Sequence, residues 1–401
     1  MKEGWEECNL EDYINLIDYR GRTPVKTETG VRLITAKNVK LGYLQIEPQE
    51  FINPNNYESW MTRGIPNYGD VIFTTEAPLA NVAQINTYER LAFAQRIIVM
   101  QPQSSKIDST FLKYMLLSNH LRNIILEKGT GATVQGIKSS LLKKIRISFP
   151  PLPEQQRIVS ILDQAFATIA KAKENTEKNL QNAKELFESY LYNVFENKGA
   201  GWDEKILEDL VDEKCTLSYG IVQPGEEYPN GLPIIRPTDL TSKFISLNGL
   251  KRIDPKLADG YKRTKLSGYE LLLCVRGSTG VVSIALKELE GANVTRGIVP
   301  IRFNPVIINQ EFGYYLLISN FIQNQIRAKT YGAALMQINI GDLRKIHAPF
   351  PKLIEQQVIV AKLDALSIET KRLESIYQQK LNNLEELKKS LLQKAFSGEL
   401  T

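Results

Sequence analysis

The residues best suited to chemistry lie in short loops that mix glycine with hydrogen-bond donors. In the first half of the chain these are Arg20 and Arg22, Lys37 and Asn38, Thr75, Arg96, and the group Thr133, Gln135 and Lys138. The second half offers Tyr219, Arg236 and Thr238, Arg276 and Ser278, Arg296, Gln337 and Asn339. Such side chains donate to phosphate oxygens and base edges, and glycine lets a backbone approach a ligand closely. Arg20 and Arg22 have two open roles, holding a phosphate or closing a turn.

Catalytic constellations are missing. The chain has no GxxxxGK[ST], GxGxxG or HExxH segment. Its two histidines, His120 and His347, have no histidine counterpart in the other half. Asn53-Pro-Asn-Asn-Tyr57 resembles an amino-methyltransferase loop only superficially, because the second proline is absent, and it reads as a turn. Cys8, Cys215 and Cys274 lack paired spacing, which argues against a zinc site or a disulfide framework and for a reducing compartment. The expectation is a non-catalytic chain with no catalytic, cofactor or metal residues of its own. A net charge of +5 over 401 residues permits a polyanionic partner without demanding one. The acidic N-terminal stretch is unlike a signal peptide, and no apolar run reaches membrane length, so a cytoplasmic setting is expected.

The loops recur on a frame that is written twice. FPPLPEQQRIVSILDQ from Phe149 returns as FPKLIEQQVIVAKLDA from Phe350, a shift of 201 residues. FLKYMLLSN from Phe111 lies over FGYYLLISN from Phe312, and Trp5-x-x-x-x-Leu-x-Asp lies over the same pattern from Trp202. A period this long makes each copy a whole domain, so the chain is a tandem duplication.

Within each copy, β-rich runs at 70–75, 96–100 and 270–275 predict strands, and 110–121 predicts a helix with Phe111, Tyr114, Met115 and Leu121 on one face. The fold class is α+β. Each domain is followed by a long run free of proline and glycine. In the first, Ile158, Leu162, Ala165, Ile169, Ala172, Thr176, Ala183, Phe187 and Val194 mostly keep spacings of three, four or seven. In the second, Ile359, Leu363, Leu366, Thr370, Leu373, Tyr377, Leu384, Leu387 and Leu391 do the same. That is the signature of helices pairing in a coiled coil, with the prolines marking where each helix begins. The predicted divisions are 1–150 and 199–350 for the globular domains and 151–198 and 351–401 for the helices.

This arrangement resembles the DNA specificity subunit of type I restriction-modification systems, usually called HsdS. The resemblance rests on the paired Trp-x-x-x-x-Leu-x-Asp segments, ArgGlyArgThrPro at 20–24, SerTyrGlyIleValGlnProGly at 218–225, the Gly-Ala segments at 131 and 332, and the Pro-x-x-x-Gln-Gln lines with their helices. It implies two target recognition domains, each reading one half of a bipartite sequence in double-stranded DNA, with the two helices paired as an antiparallel coiled-coil spacer. It also implies two methyltransferase (M) subunits and an endonuclease/translocase (R) subunit as partners. S-adenosylmethionine, ATP and Mg would then belong to those partners. The alternative is a scaffold: two protein-binding domains on a coiled coil, with no nucleic acid.

Overall fold

The computed structural model describes residues 4–19, 21, 23–131, 134–199, 201–332 and 335–400. The chain divides into two compact units, one of Met1–Glu177 with Gln378–Thr401, the other of Lys178–Tyr377. Each is an α+β domain with a portion of both long helices.

In the first unit, strands Ile14–Asp18, Ile97–Pro102, Val71–Thr74 and Val82–Gln84 form an antiparallel sheet in that order. A second sheet orders Lys26–Thr27, Phe51–Ile52, Val31–Ile34 and Leu91–Phe93, its last pair parallel. Val71–Thr74 is buried along its whole length, so it reads as a continuous apolar run rather than an alternating one. Strand Glu6–Asn9 pairs with Arg146–Phe149, joining the start of the domain to its end. The repeated Trp-x-x-x-x-Leu-x-Asp segment is thus a closing device. Asp203–Ile206 pairs with His347–Phe350 in the same way in the second unit.

The segment predicted as one helix over 110–121 is two, Ser109–Leu117 and Asn119–Glu127. Ser118 breaks it with extended backbone (ψ 141°), and its hydroxyl caps the second helix. Serine competes for the backbone in this way, and Ser319 repeats the break in the second unit. Phe111, Tyr114, Met115 and Leu121 are all buried, as the apolar spacing requires.

The long helices span Leu152–Glu196 and Leu353–Ser397, each roughly 65 Å at 1.5 Å per residue. Pro153 lies inside the first turn rather than before it, where its missing N–H has no intrahelical partner to lose. In the first unit Ile158 and Leu162 share a core with Leu392 and Ala395. Lys173 meets Glu385 at 2.8 Å and Arg157 donates to the Leu400 carbonyl at 2.6 Å. The start of one helix therefore lies along the end of the other, which makes them antiparallel. In the second unit Leu191 and Phe195 share a core with Leu363. Leu387, expected on the apolar seam, is 47% exposed, and the seam passes through Lys388 and Leu391 to Leu392 and Ala395 instead.

Both helices are fastened to their domains by the same three side chains. Gln155 is fully buried and bonds to three backbone groups, at Asp108, Lys106 and Pro150. Gln356 does so at Asn309, Ile307 and Pro351. Tyr114 donates to Asp163, and Tyr315 to Asp364. Among the described residues no helix is long and apolar enough to cross a membrane.

Candidate nucleic-acid interface

In the first unit three loops are laced around residue 75. The Thr75 N–H donates to the Arg96 carbonyl at 2.9 Å, and the Thr75 carbonyl accepts from Ile137 at 3.0 Å. Thr130 and Gly136 exchange backbone bonds, and Glu76 bridges to Gly136. The loops enclose a cleft of about 310 Å³ lined by Thr75, Glu76, Gln95, Arg96, Thr130 and Lys138. Arg96 meets Glu76 at 2.8 Å. An adjoining cleft of about 410 Å³ shares Gln95 and Arg96 and adds Lys26 and Lys37. Among the described residues, neither Lys37 nor Lys138 forms an ion pair, and both are exposed.

This region carries backbone strain. Ala77, Ala80 and Arg96 adopt φ of +47°, +62° and +78°, a conformation that costs residues other than glycine about 1 kcal/mol or more. The second unit has Gly277 and Gly280 where the first has Ala77 and Ala80, at φ +87° and +96°. The Thr75 hydroxyl adds a second tension, being buried without a hydrogen-bond partner. Strain and an unsatisfied polar group together mark a place held for something other than stability.

The second unit repeats the lacing. Val275 donates to the Gly297 carbonyl at 2.8 Å and accepts from Ile338 at 3.0 Å. Arg276 and Tyr331 both bridge to Gln337, and the Tyr331 hydroxyl donates to Asn339. Tyr219 donates to the Ile338 carbonyl at 3.2 Å. Arg296 is exposed and held by a backbone bond to Ile221, while its neighbour Thr295 keeps an unpartnered buried hydroxyl. Arg276 is half-buried and Ser278 exposed.

Most of the residues named from sequence gather at these two places, and several are already committed. Asn38 is fully buried. Its amide accepts from Thr35 and donates to the carbonyls of Gln45, Ile46 and Pro48, so it is a turn residue and leaves the candidate set. Asp239 makes the same turn in the second unit, where it also takes both arms of the Arg236 guanidinium; Thr238 beside it is exposed. Gln135 donates to the Leu126 carbonyl, which turns it back onto its own domain. Arg20, Arg22 and Thr133 lie outside the described residues. The backbone bonds place Arg96 opposite Gly297, so the counterpart of Arg296 is Gln95 and not Arg96. Glu76, Gln95, Thr130 and Thr295 join the set. Glu76 was detectable as a reversal of charge, since a local shift of 200 lays it over Arg276.

The family model described as the type I restriction modification DNA specificity domain matches residues 2–181 and again 200–386. The type I restriction enzyme EcoBI specificity subunit of Escherichia coli is 27% identical over 77% of this chain and 69% of its own. The MjaVIII specificity subunit of Methanocaldococcus jannaschii is 22% identical over 100% of this chain and 94% of its own. In fold, the chain resembles the crystal structure of the HsdS subunit from Thermoanaerobacter tengcongensis, with a TM-score of 0.64 at 19% identity, covering 100% and 98% of the two chains. It also resembles a chain solved in a study of complex assembly and conformational transition of the type I R-M system, with a TM-score of 0.74 at 20% identity, covering 99% and 98%. With two matched domains that together account for most of its length, the chain belongs to the family of type I restriction-modification DNA specificity domains.

Proposed function

We propose that this chain is the target-reading subunit of a type I restriction-modification assembly, each copy gripping one half of a split duplex target. The observation that carries the reading is the contrast between a constant frame and a divergent interface. Gln155/Gln356, Tyr114/Tyr315, Asp163/Asp364 and Ser118/Ser319 are identical in type and repeat the same bonds, to which the second unit adds Lys243 on Asp364 and Tyr315. At the clefts, Val275 takes the place of Thr75, Arg276 that of Glu76, and Arg296 that of Gln95. Two readers of different sequences need one scaffold and different side chains at the base edges. A protein-binding scaffold gives no reason for divergent basic loops on a common frame.

Methylation and cleavage then belong to partner subunits, two methyltransferases and a translocating endonuclease, with S-adenosylmethionine, ATP and Mg bound by them. The test is the salt dependence of binding between the full chain, with its methyltransferase partner, and duplex DNA. Affinity that falls steeply from about 50 to 200 mM salt is expected of a protein that neutralises phosphates. Absent or salt-insensitive binding would overturn the reading.

A further inference from the structure

The first cleft holds a charge pattern that phosphate binding does not explain. Glu76 pairs with Arg96 at 2.8 Å, and both side chains remain about two-fifths exposed. A carboxylate on a surface that meets DNA is repelled by the backbone, and it also cancels the cation that would bind a phosphate. Over a base edge, by contrast, an exocyclic amino group can donate to it. The pair therefore presents an acceptor and a fork of donors side by side. In the major groove a G·C pair offers the complement: N7 and O6 acceptors on guanine and an N4 amino donor on cytosine.

Two further observations point to the same place. Arg96 is held at φ +78°, a conformation that strains any residue but glycine, with its carbonyl accepting from the Thr75 N–H and its side chain half exposed. Thr75 lines the same cleft and is 99% buried as a residue, its hydroxyl enclosed without a hydrogen-bond partner.

We propose that Glu76 and Arg96 together read one G·C base pair in the half-target of the first copy, Glu76 accepting from cytosine N4 and Arg96 donating to guanine O6 and N7. The assignment rests on the target-reading function proposed above. Arg276, which takes the place of Glu76 in the second copy, cannot accept from an amino group, so the two halves differ at this position.

Selection from a random duplex library by the full chain with its methyltransferase partner tests this. The unaltered protein is expected to select a fixed G·C pair that Glu76→Ala, which removes the acceptor, relaxes by roughly 5- to 150-fold, the span of one lost base-pair preference. Arg96→Lys, which keeps the charge and loses the fork, is expected to relax the same position, with the other half-target unchanged in both variants. An unchanged preference in both variants, or an A·T pair at the affected position, overturns the proposal while leaving target reading intact. No sequence preference in the unaltered protein would refute the target-reading function itself.

Discussion

The side chain of Gln155 accepts a 2.9 Å hydrogen bond from the backbone N–H of Asp108 and so ties the first long helix to the loop that opens a domain helix. Its amide nitrogen donates to Lys106 and Pro150, so one buried side chain satisfies three backbone groups. Replacing it with leucine strands all three in a dry setting. Gln155→Leu is expected to destabilise the first unit by about 2–4 kcal/mol, at 1–3 kcal/mol per unsatisfied group with partial relaxation. The neighbouring Gln156 is exposed, and Gln156→Leu should change urea unfolding little.

Gly277 and Ala77 share a left-handed backbone conformation in the two copies, at φ +87° and +47°. A Cβ on Gly277 has room, its nearest neighbour being Leu335 at 3.8 Å, so backbone strain alone decides the outcome. Gly277→Ala should cost about 1 kcal/mol, and Ala77→Gly, at an exposed position, should be neutral or stabilise by a few tenths. Equal effects of the two changes in thermal unfolding would contradict this.

Asp364 gives the second unit a pH dependence. Burial raises its carboxyl, but hydrogen bonds from Lys243 and Tyr315 and the Lys243 charge outweigh that and hold it below its ordinary 3.8. A depressed carboxylate contributes stability that is present above the unfolded value and lost as pH falls through the folded one. Asp364→Asn should therefore cost about 1–2 kcal/mol at neutral pH, allowing for partial solvent screening. The difference from the unaltered protein should shrink as pH falls below about 4. A constant difference from pH 7 to pH 3 would remove Asp364 from the account.

Helix length is expected to set the gap between the two half-targets. A heptad added to both long helices, after Glu177 and after Tyr377, preserves the apolar register and adds about 10 Å. The unspecified centre of the target should lengthen by about three base pairs, with both halves retained. An unchanged gap in the selected sequences would show that the helices are not the ruler.

The duplication and the long helices were legible because they are periodic: buried Leu162, Ile169, Thr176 and Ala183 recur every seven residues. The clasp was visible only as a repeated Gln-Gln. Nothing in the letters says that Gln155 turns inward while Gln156 faces water, since that depends on the angle at which the helix leaves the domain. The candidate loops were legible by composition, but backbone geometry decides which of their side chains are free to meet a ligand. Asn38 has the chemistry of a base reader and is used up by its own turn. Arg96 and Arg296 look equivalent by position and differ by one residue in register, because the loops before them change length and only the bonds to Thr75 and Val275 align them. Glu76 is an acid among expected cations, and only the fold shows that it pairs with Arg96.

The most direct measurement is to sequence methylated adenines in DNA from cells carrying this chain with its methyltransferase, before and after residues 70–98 are exchanged for the matching segment of a relative with another target. The account predicts a bipartite motif with an unspecified centre, of which only one half changes on exchange. A continuous motif, or a change in both halves, would contradict it.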